Sequence, residues 1–241
     1  LNGGATGSNL IAPIHLADRK RDKIRLFVNW MPVESLTVNF TVDDAQDDYT
    51  THPGSSIGPM EGKARNYSVD VGYAFTERWQ ATAWYSRNET EAKQTTCESA
   101  ANSPAGCPAV DADPVWGANL KNKSDAYGLG FRGKTNGRIE VGGDLSYQDI
   151  TDSYNQFPIN PVTSTVPANL PEISTKLTRV NLWGRYALAK NSGVRLDYIY
   201  DRYKTDDWTW STWMYADGTR ITQDPNQTVN FFGATYYYRW Q

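Results

Sequence analysis

Residues 23–44 read KIRLFVNWMPVESLTVNFTVDD and contain the same pattern twice. In the first run Ile24, Leu26, Val28 and Trp30 fall on one side, with Arg25, Phe27 and Asn29 on the other. In the second, Leu36, Val38, Phe40 and Val42 face away from Thr37, Asn39, Thr41 and Asp43. Alternation with period two is the signature of a strand with unlike faces. Only MPVE separates the runs, so they read as two strands of one hairpin.

The pattern recurs down the chain. NYSVDVGYAF aligns Tyr67, Val69, Val71, Tyr73 and Phe75, and after the short TE link RWQATAWYSRN aligns Trp79, Ala81, Ala83 and Tyr85. DAYGLGFRG and RIEVGGDLSYQ are joined through KTNG, whose Asn-Gly pair is a strong hairpin signal. RVNLWGRYAL and VRLDYIYDRY flank AKNSG, and TVNFFGATYYYRW ends the chain with Phe232, Tyr236, Tyr238 and Trp240 on one face. This predicts an all-β chain of about nine antiparallel strands.

The predicted connections alternate. They are very short near 32–34, 76–77, 134–137 and 189–192, and long and polar at 45–63, 88–124, 150–175 and 204–227. Short turns at one end and long loops at the other mark an outer-membrane type of transmembrane β-barrel, with the long loops extracellular. A soluble sandwich would bury the apolar face as its core. Here that face is rimmed by rings: Trp30, Phe75, Trp79, Tyr186 and Trp240 near the turns, Tyr67, Tyr85, Tyr147 and Tyr200 near the loops. Two aromatic girdles flanking an aliphatic band suit a lipid-facing wall in the bacterial outer membrane. The terminal aromatics then serve closure and anchoring at the periplasmic interface, and resemble the signal read by barrel-inserting machinery.

Composition agrees. Hydrophobic content is low at 39% while aromatic content is 13%, a pairing expected of neither a disordered chain nor a soluble core. No run of about eighteen apolar residues is present for a transmembrane helix. With 24 basic against 27 acidic residues, a nucleic-acid partner is not expected. Cys97 and Cys107 stand in TTCESAANSPAGCPAV, a spacing that suits a loop disulfide in an oxidising compartment, with two free thiols the alternative.

Counting back from a periplasmic C-terminus places residues 1–23 as an extracellular loop segment and 24–241 as C-terminal barrel strands. Bacterial single-chain barrels have even strand numbers. An odd number of further strands is therefore expected before Leu1 or from another chain, unless a strand hides in 8–16, where Pro13 interrupts.

The polar face is expected to point into the lumen. It carries Arg25, Asn29, Asp70, Arg132, Glu140, Asp144, Arg179, Arg185, Arg195, Asp197 and Asp201. Hairpin registers predict Arg132 opposite Glu140, and Arg185 opposite or diagonal to Asp197. Gly72, Gly128, Gly130, Gly142 and Gly233 share this face, and such small residues let another backbone approach. A polar, mixed-charge wall fits a protein partner or a water-filled pore equally well.

At the outer end, Trp208, Trp210, Trp213, Met214 and Tyr215 form an aromatic loop that either docks a partner or packs on neighbouring loops. The four carboxylates of Asp43–Asp48 are expected as solvated loop charge, with calcium the alternative. There is no CxxCH for haem attachment, no phosphate loop and no nucleophile motif. A rim hydrolase would have to use His15 or His52. The chain is thus expected to be no enzyme, to bind no cofactor and to hold no metal.

Several stretches together carry a resemblance. LADRKRDKIRLFVNW, DDAQDDY, LPEISTKLTRVNLWGRYALAKNSGVRLDYIYDRYKTDDW, MYADGT and DPNQTVNFFGATYYYRW resemble, in order and spacing, the C-terminal part of the decahaem-associated outer-membrane barrels of the MtrB/PioB family. The resemblance covers most of 16–241. It implies a sheath that houses a periplasmic multihaem c-type cytochrome, whose haems carry electrons across the outer membrane, with an extracellular multihaem cytochrome as a second partner at the loops. A porin for small solutes or ions is the other function weighed.

Overall fold

The structure, a computed structural model, describes residues 17–50, 58–97, 115–135, 137–158, 169–210, 213–221 and 224–240. Nine long strands make one sheet: β1 (Asp18–Val33), β2 (Leu36–Thr50), β3 (Gly58–Thr76), β4 (Trp79–Cys97), β5 (Val115–Thr135), β6 (Ile139–Pro158), β7 (Ile173–Ala189), β8 (Ser192–Asp206) and β11 (Gln227–Tyr238). Between the last two lie a 3-10 turn, Trp208–Trp210, and a small ladder of β9 (Trp213–Met214) with β10 (Arg220–Ile221). Every long strand pairs antiparallel with its sequence neighbour, and β1 and β11 form the edges.

The short turns fall where the alternation breaks. Gly137 takes φ 71° in the β5–β6 turn, a left-handed conformation that glycine adopts without steric cost. The turns are tied sideways as well. The amide of Ala74 donates to Ser35 O at 2.8 Å, Lys134 to Arg78 O at 3.0 Å, Ala187 to Arg138 O at 2.8 Å and Arg239 to Asn191 O at 2.7 Å. These bonds join each turn to the next hairpin.

The long connections are shorter than the sequence suggests. Most of 45–63 and 88–124, and nearly half of 150–175, is strand, because β2 runs to Thr50, β3 starts at Gly58, β4 and β5 reach Cys97 and Val115, and β6 and β7 reach Pro158 and Ile173. Of the segment expected as a loop at 1–23, Asp18–Lys23 belong to β1. Alternation ends there because both faces become polar, yet the ladder is made by backbone groups and continues. Opposite charges set directly across, as in Lys63–Glu91–Lys121, support it. Strands β3 to β6 have 19, 19, 21 and 20 residues, about twice what a tilted strand needs to cross a bilayer.

Register assigns the faces. Residues directly opposed share a face, so Val28, Phe40, Val69, Tyr85, Tyr127 and Tyr147 form one row. The adjacent row runs Trp30, Val38, Val71, Ala83, Leu129, Leu145, Val180, Tyr200 and Asn230. It begins beside the first turn and ends in the first half of β11. That stagger is the shear of strands tilted in a barrel wall.

Neither face is covered by a second layer. The buried apolar residues among those described are Ala45, Ala118 and Ala126, whereas Ile24, Leu129, Leu196 and Phe232 are exposed. A sandwich would bury these large side chains. Here the membrane must take them.

Candidate functional site: the inward wall and outer rim

The eleven residues expected to point inward share the polar face of the sheet. Arg25 donates to Asp43 through Nε at 2.6 Å and Nη2 at 2.9 Å, and Arg21 grips Asp47 the same way at 2.6 and 2.7 Å. Asn29 donates to Asn39 at 2.6 Å. Arg179 makes a two-pronged pair with Asp201 at 2.6 and 2.8 Å. Asp70 lies in register with Asn39 and Trp84, and Asp144 with Gly130 and Asn181.

Nearer the turns a denser cluster forms. Arg132 pairs with Glu140, although Gly142 stands directly opposite it and Glu140 lies one step diagonal. Arg185 is opposed by Glu140 on β6 and Arg195 on β8, and is diagonal to Asp197. It donates to the Tyr237 hydroxyl at 2.7 Å and lies 4.4 Å above that ring. Asp197 pairs instead with Arg195 on its own strand, at 2.7 Å. The Arg195 and Arg132 guanidiniums approach the Trp183 ring at 4.9 and 5.9 Å. Three arginines thus share two carboxylates, whereas Arg179 grips Asp201 and Arg25 holds Asp43 together with Lys23, at 3.5 Å.

The inward glycines do not leave open lanes. A Cβ on Gly128 would meet Trp84 Nε1 at 2.5 Å, and one on Gly142 would meet the Trp183 ring at 2.5 Å. At Gly130 the space is taken by Thr82 Oγ1 at 2.5 Å and Asp144 Oδ1 at 2.8 Å, and Phe231 overlies Gly233. Of the five, Gly72 alone has nothing within 4 Å. The glycines let neighbouring indoles lie flat on the wall, so the close approach is by rings and not by a second backbone.

Those rings were missed as inward features. Trp84, Trp183 and Tyr237 sit at positions of polar parity, and with Phe27, Leu177, Val229 and Phe231 they put apolar surface on the inward face. The available signal was a tryptophan out of phase with the apolar positions of its own strand.

At the rim, Asp43–Asp48 is neither a loop nor a calcium cluster. β2 splits its carboxylates between faces: Asp43 and Asp47 point inward to Arg25 and Arg21, and Asp44 points outward to Arg65 at 2.8 Å. No metal-binding group of acidic, His and Cys side chains occurs among the described residues. Trp208 lines a cavity of about 520 Å³ with Tyr154, Leu170, Pro171 and Ile173, and it and Tyr215 remain exposed. The side chains of Trp210, Trp213 and Met214 lie outside the described residues, as do His15, His52, Cys107 and the side chain of Cys97. In the loop turns, the amides of Thr219 and Asn226 donate to Asp217 and Asp224, each at 2.9 Å, and hold both carboxyls below the usual carboxylate range.

A meander that is polar inside, apolar outside and ringed by aromatics is the wall of a bacterial outer-membrane β-barrel. The chain belongs to the MtrB/PioB family: residues 2–240 match the family described as "Putative outer membrane beta-barrel porin, MtrB/PioB". It is 27% identical over 202 residues to outer membrane protein MtrB of Shewanella baltica, covering 83% of this chain but 26% of that protein. The chain therefore spans about a quarter of this relative's length. In fold it is similar to the ferric preacinetobactin receptor BauA of Acinetobacter baumannii (TM-score 0.60, 14% identity, 90% of this chain, 36% of that one). It is also similar to the alcaligin receptor FauA of Bordetella pertussis (TM-score 0.53, 19% identity, 90% and 33%).

Proposed function

We propose that these nine strands are part of an outer-membrane sheath that houses a periplasmic multihaem c-type cytochrome, with electrons crossing the membrane through that partner's haems. The family membership supports this reading. So does one feature of the inward wall: Phe27, Leu177, Val229 and Phe231 stand on the face that also carries the arginines. A water-filled lumen gains nothing from apolar surface, whereas a protein contact gains about 25 cal/mol for each Å² covered. Arginine beside aromatic rings is the composition favoured in protein interfaces. The two edge strands require neighbours in the membrane, since an unpaired edge in hydrocarbon leaves its backbone polar groups unsatisfied. The chain itself supplies the wall, no haem and no catalytic group.

The aromatic rim around Trp208 and Tyr215, extended by Trp210 and Trp213, is the proposed landing site for an extracellular multihaem cytochrome. Cys97 and Cys107 are proposed to close a disulfide beyond the β4–β5 ladder.

A visible spectrum of the gently solubilised complex tests the sheath. A reducible c-type Soret band should follow this chain, while the chain itself stays unstained for haem on a denaturing gel. The family description favours a second reading, a porin. It requires an open lumen, and steady single-channel conductance of a preparation free of haem would establish it.

A further inference from the structure

We propose that the outward face of β3–β5, just above the outer aromatic girdle, binds the phosphorylated headgroup of lipopolysaccharide, the glycolipid of the outer leaflet. This site is separate from the lumen and does not depend on what fills it.

Registers set Lys63 opposite Glu91 opposite Lys121, and Arg65 opposite Glu89 opposite Lys123. The six side chains therefore share one face, and it is the face of Tyr67, Tyr85 and Tyr127. They line a cleft of about 250 Å³. Four cations surround two carboxylates. Both carboxylates are already engaged: Glu89 by Arg87 at 2.6 Å, and Glu91 by Asn119 at 2.7 Å and Lys121 at 3.8 Å. Arg65 is held by Asp44. Lys63 and Lys123 are exposed and have no ion-pair partner among the described residues, so their ammonium groups remain to be met by another anion.

Height along the wall selects the anion. Arg65 is one step beyond Tyr67 on β3, and Lys123 lies four residues beyond Tyr127 on β5, roughly 13 Å along the strand. Tyrosine girdles sit at the headgroup level of the bilayer. The cleft thus continues the lipid-facing surface into the layer where the outer leaflet carries its phosphates. Long lysine stems reach down toward that layer while keeping their charge polar. Phosphate oxygens accept charge-assisted hydrogen bonds from such ammonium groups.

The test compares lipid retained by the intact native complex after detergent washing. Wild type should keep lipopolysaccharide, and the Lys63→Gln/Lys121→Gln/Lys123→Gln variant should keep at least about fivefold less. Lys93→Gln, on the same face but paired with Glu61 at 3.0 Å, serves as the control and should match wild type. A second measurement needs no variant. In nanodiscs containing lipopolysaccharide, Lys63 and Lys123 should react with an amine reagent about threefold more slowly than in nanodiscs of phosphatidylglycerol alone, with millimolar inorganic phosphate giving no protection. Equal retention in the triple variant, or equal reactivity in the two nanodiscs, overturns the proposal. Protection by phosphatidylglycerol or free phosphate alone would assign the cleft to phosphate in general and overturn the glycolipid assignment.

Discussion

At the scale of single residues, the inward wall is organised by glycines that lie under rings. Gly142→Ala would drive a methyl into the Trp183 ring and should destabilise the barrel by about 1–3 kcal/mol, the usual cost of overpacking. Gly72→Ala, into open space, should stay within about 0.5 kcal/mol of wild type. Denaturant unfolding of the two variants in detergent separates these outcomes, and equal stability would contradict the packing described. The sequence showed that both glycines point inward. It could not show which one lies beneath an indole, because that depends on the neighbouring strand's register. The loop carboxyls of Asp217 and Asp224 offer a pH test. Their pKa values are lowered in the folded chain, so the turns they hold gain stability above the ordinary carboxylate pKa of about 4 and lose it as pH falls through the folded value. Slowed hydrogen exchange at the Thr219 amide, relative to its intrinsic rate, should persist from neutral pH down to that range and then disappear. In Asp217→Asn the protection should already be weaker at neutral pH and carry no such pH dependence.

At the scale of elements, each strand divides into a membrane stretch and an outer stretch. Along β5 the outward positions run from Phe131, Leu129 and Tyr127 into Asp125, Lys123 and Lys121. The membrane stretch was legible in the sequence because unlike faces produce period two. The outer stretch was not, because a strand with two polar faces has no hydrophobic period and resembles a loop. The same blindness turned the carboxylates of β2 into an apparent loop cluster, although alternation sends them to opposite faces. A charge on the lipid face should be costly: Leu145→Lys is expected to lose about 2–4 kcal/mol, as charges near the bilayer midplane do. Ser146→Lys, one residue on and facing inward, should cost under about 1 kcal/mol in the same unfolding assay. A reversal of that order would contradict the assignment of faces.

At the scale of the whole molecule, the described residues form one sheet of nine long strands with β1 and β11 at its edges, and the chain spans about a quarter of a curated relative. Strand number, direction and the two faces could be read from alternation and turn chemistry. The occupant of the lumen could not, since a polar wall with balanced charge suits water and protein alike. The proposed protein occupant draws its support from Phe27, Val229 and Phe231, apolar residues placed at polar parity where a sequence reading expects hydrophilic ones. Neighbours on β11 allow a direct test, because Phe231 faces the lumen and Phe232 the lipid. A photo-crosslinking phenylalanine analogue at each position, activated in intact cells, is the decisive measurement. Position 231 should capture a haem-staining polypeptide and position 232 should not. Capture of no protein at 231, or of the same haem protein equally at both positions, would contradict the proposed sheath.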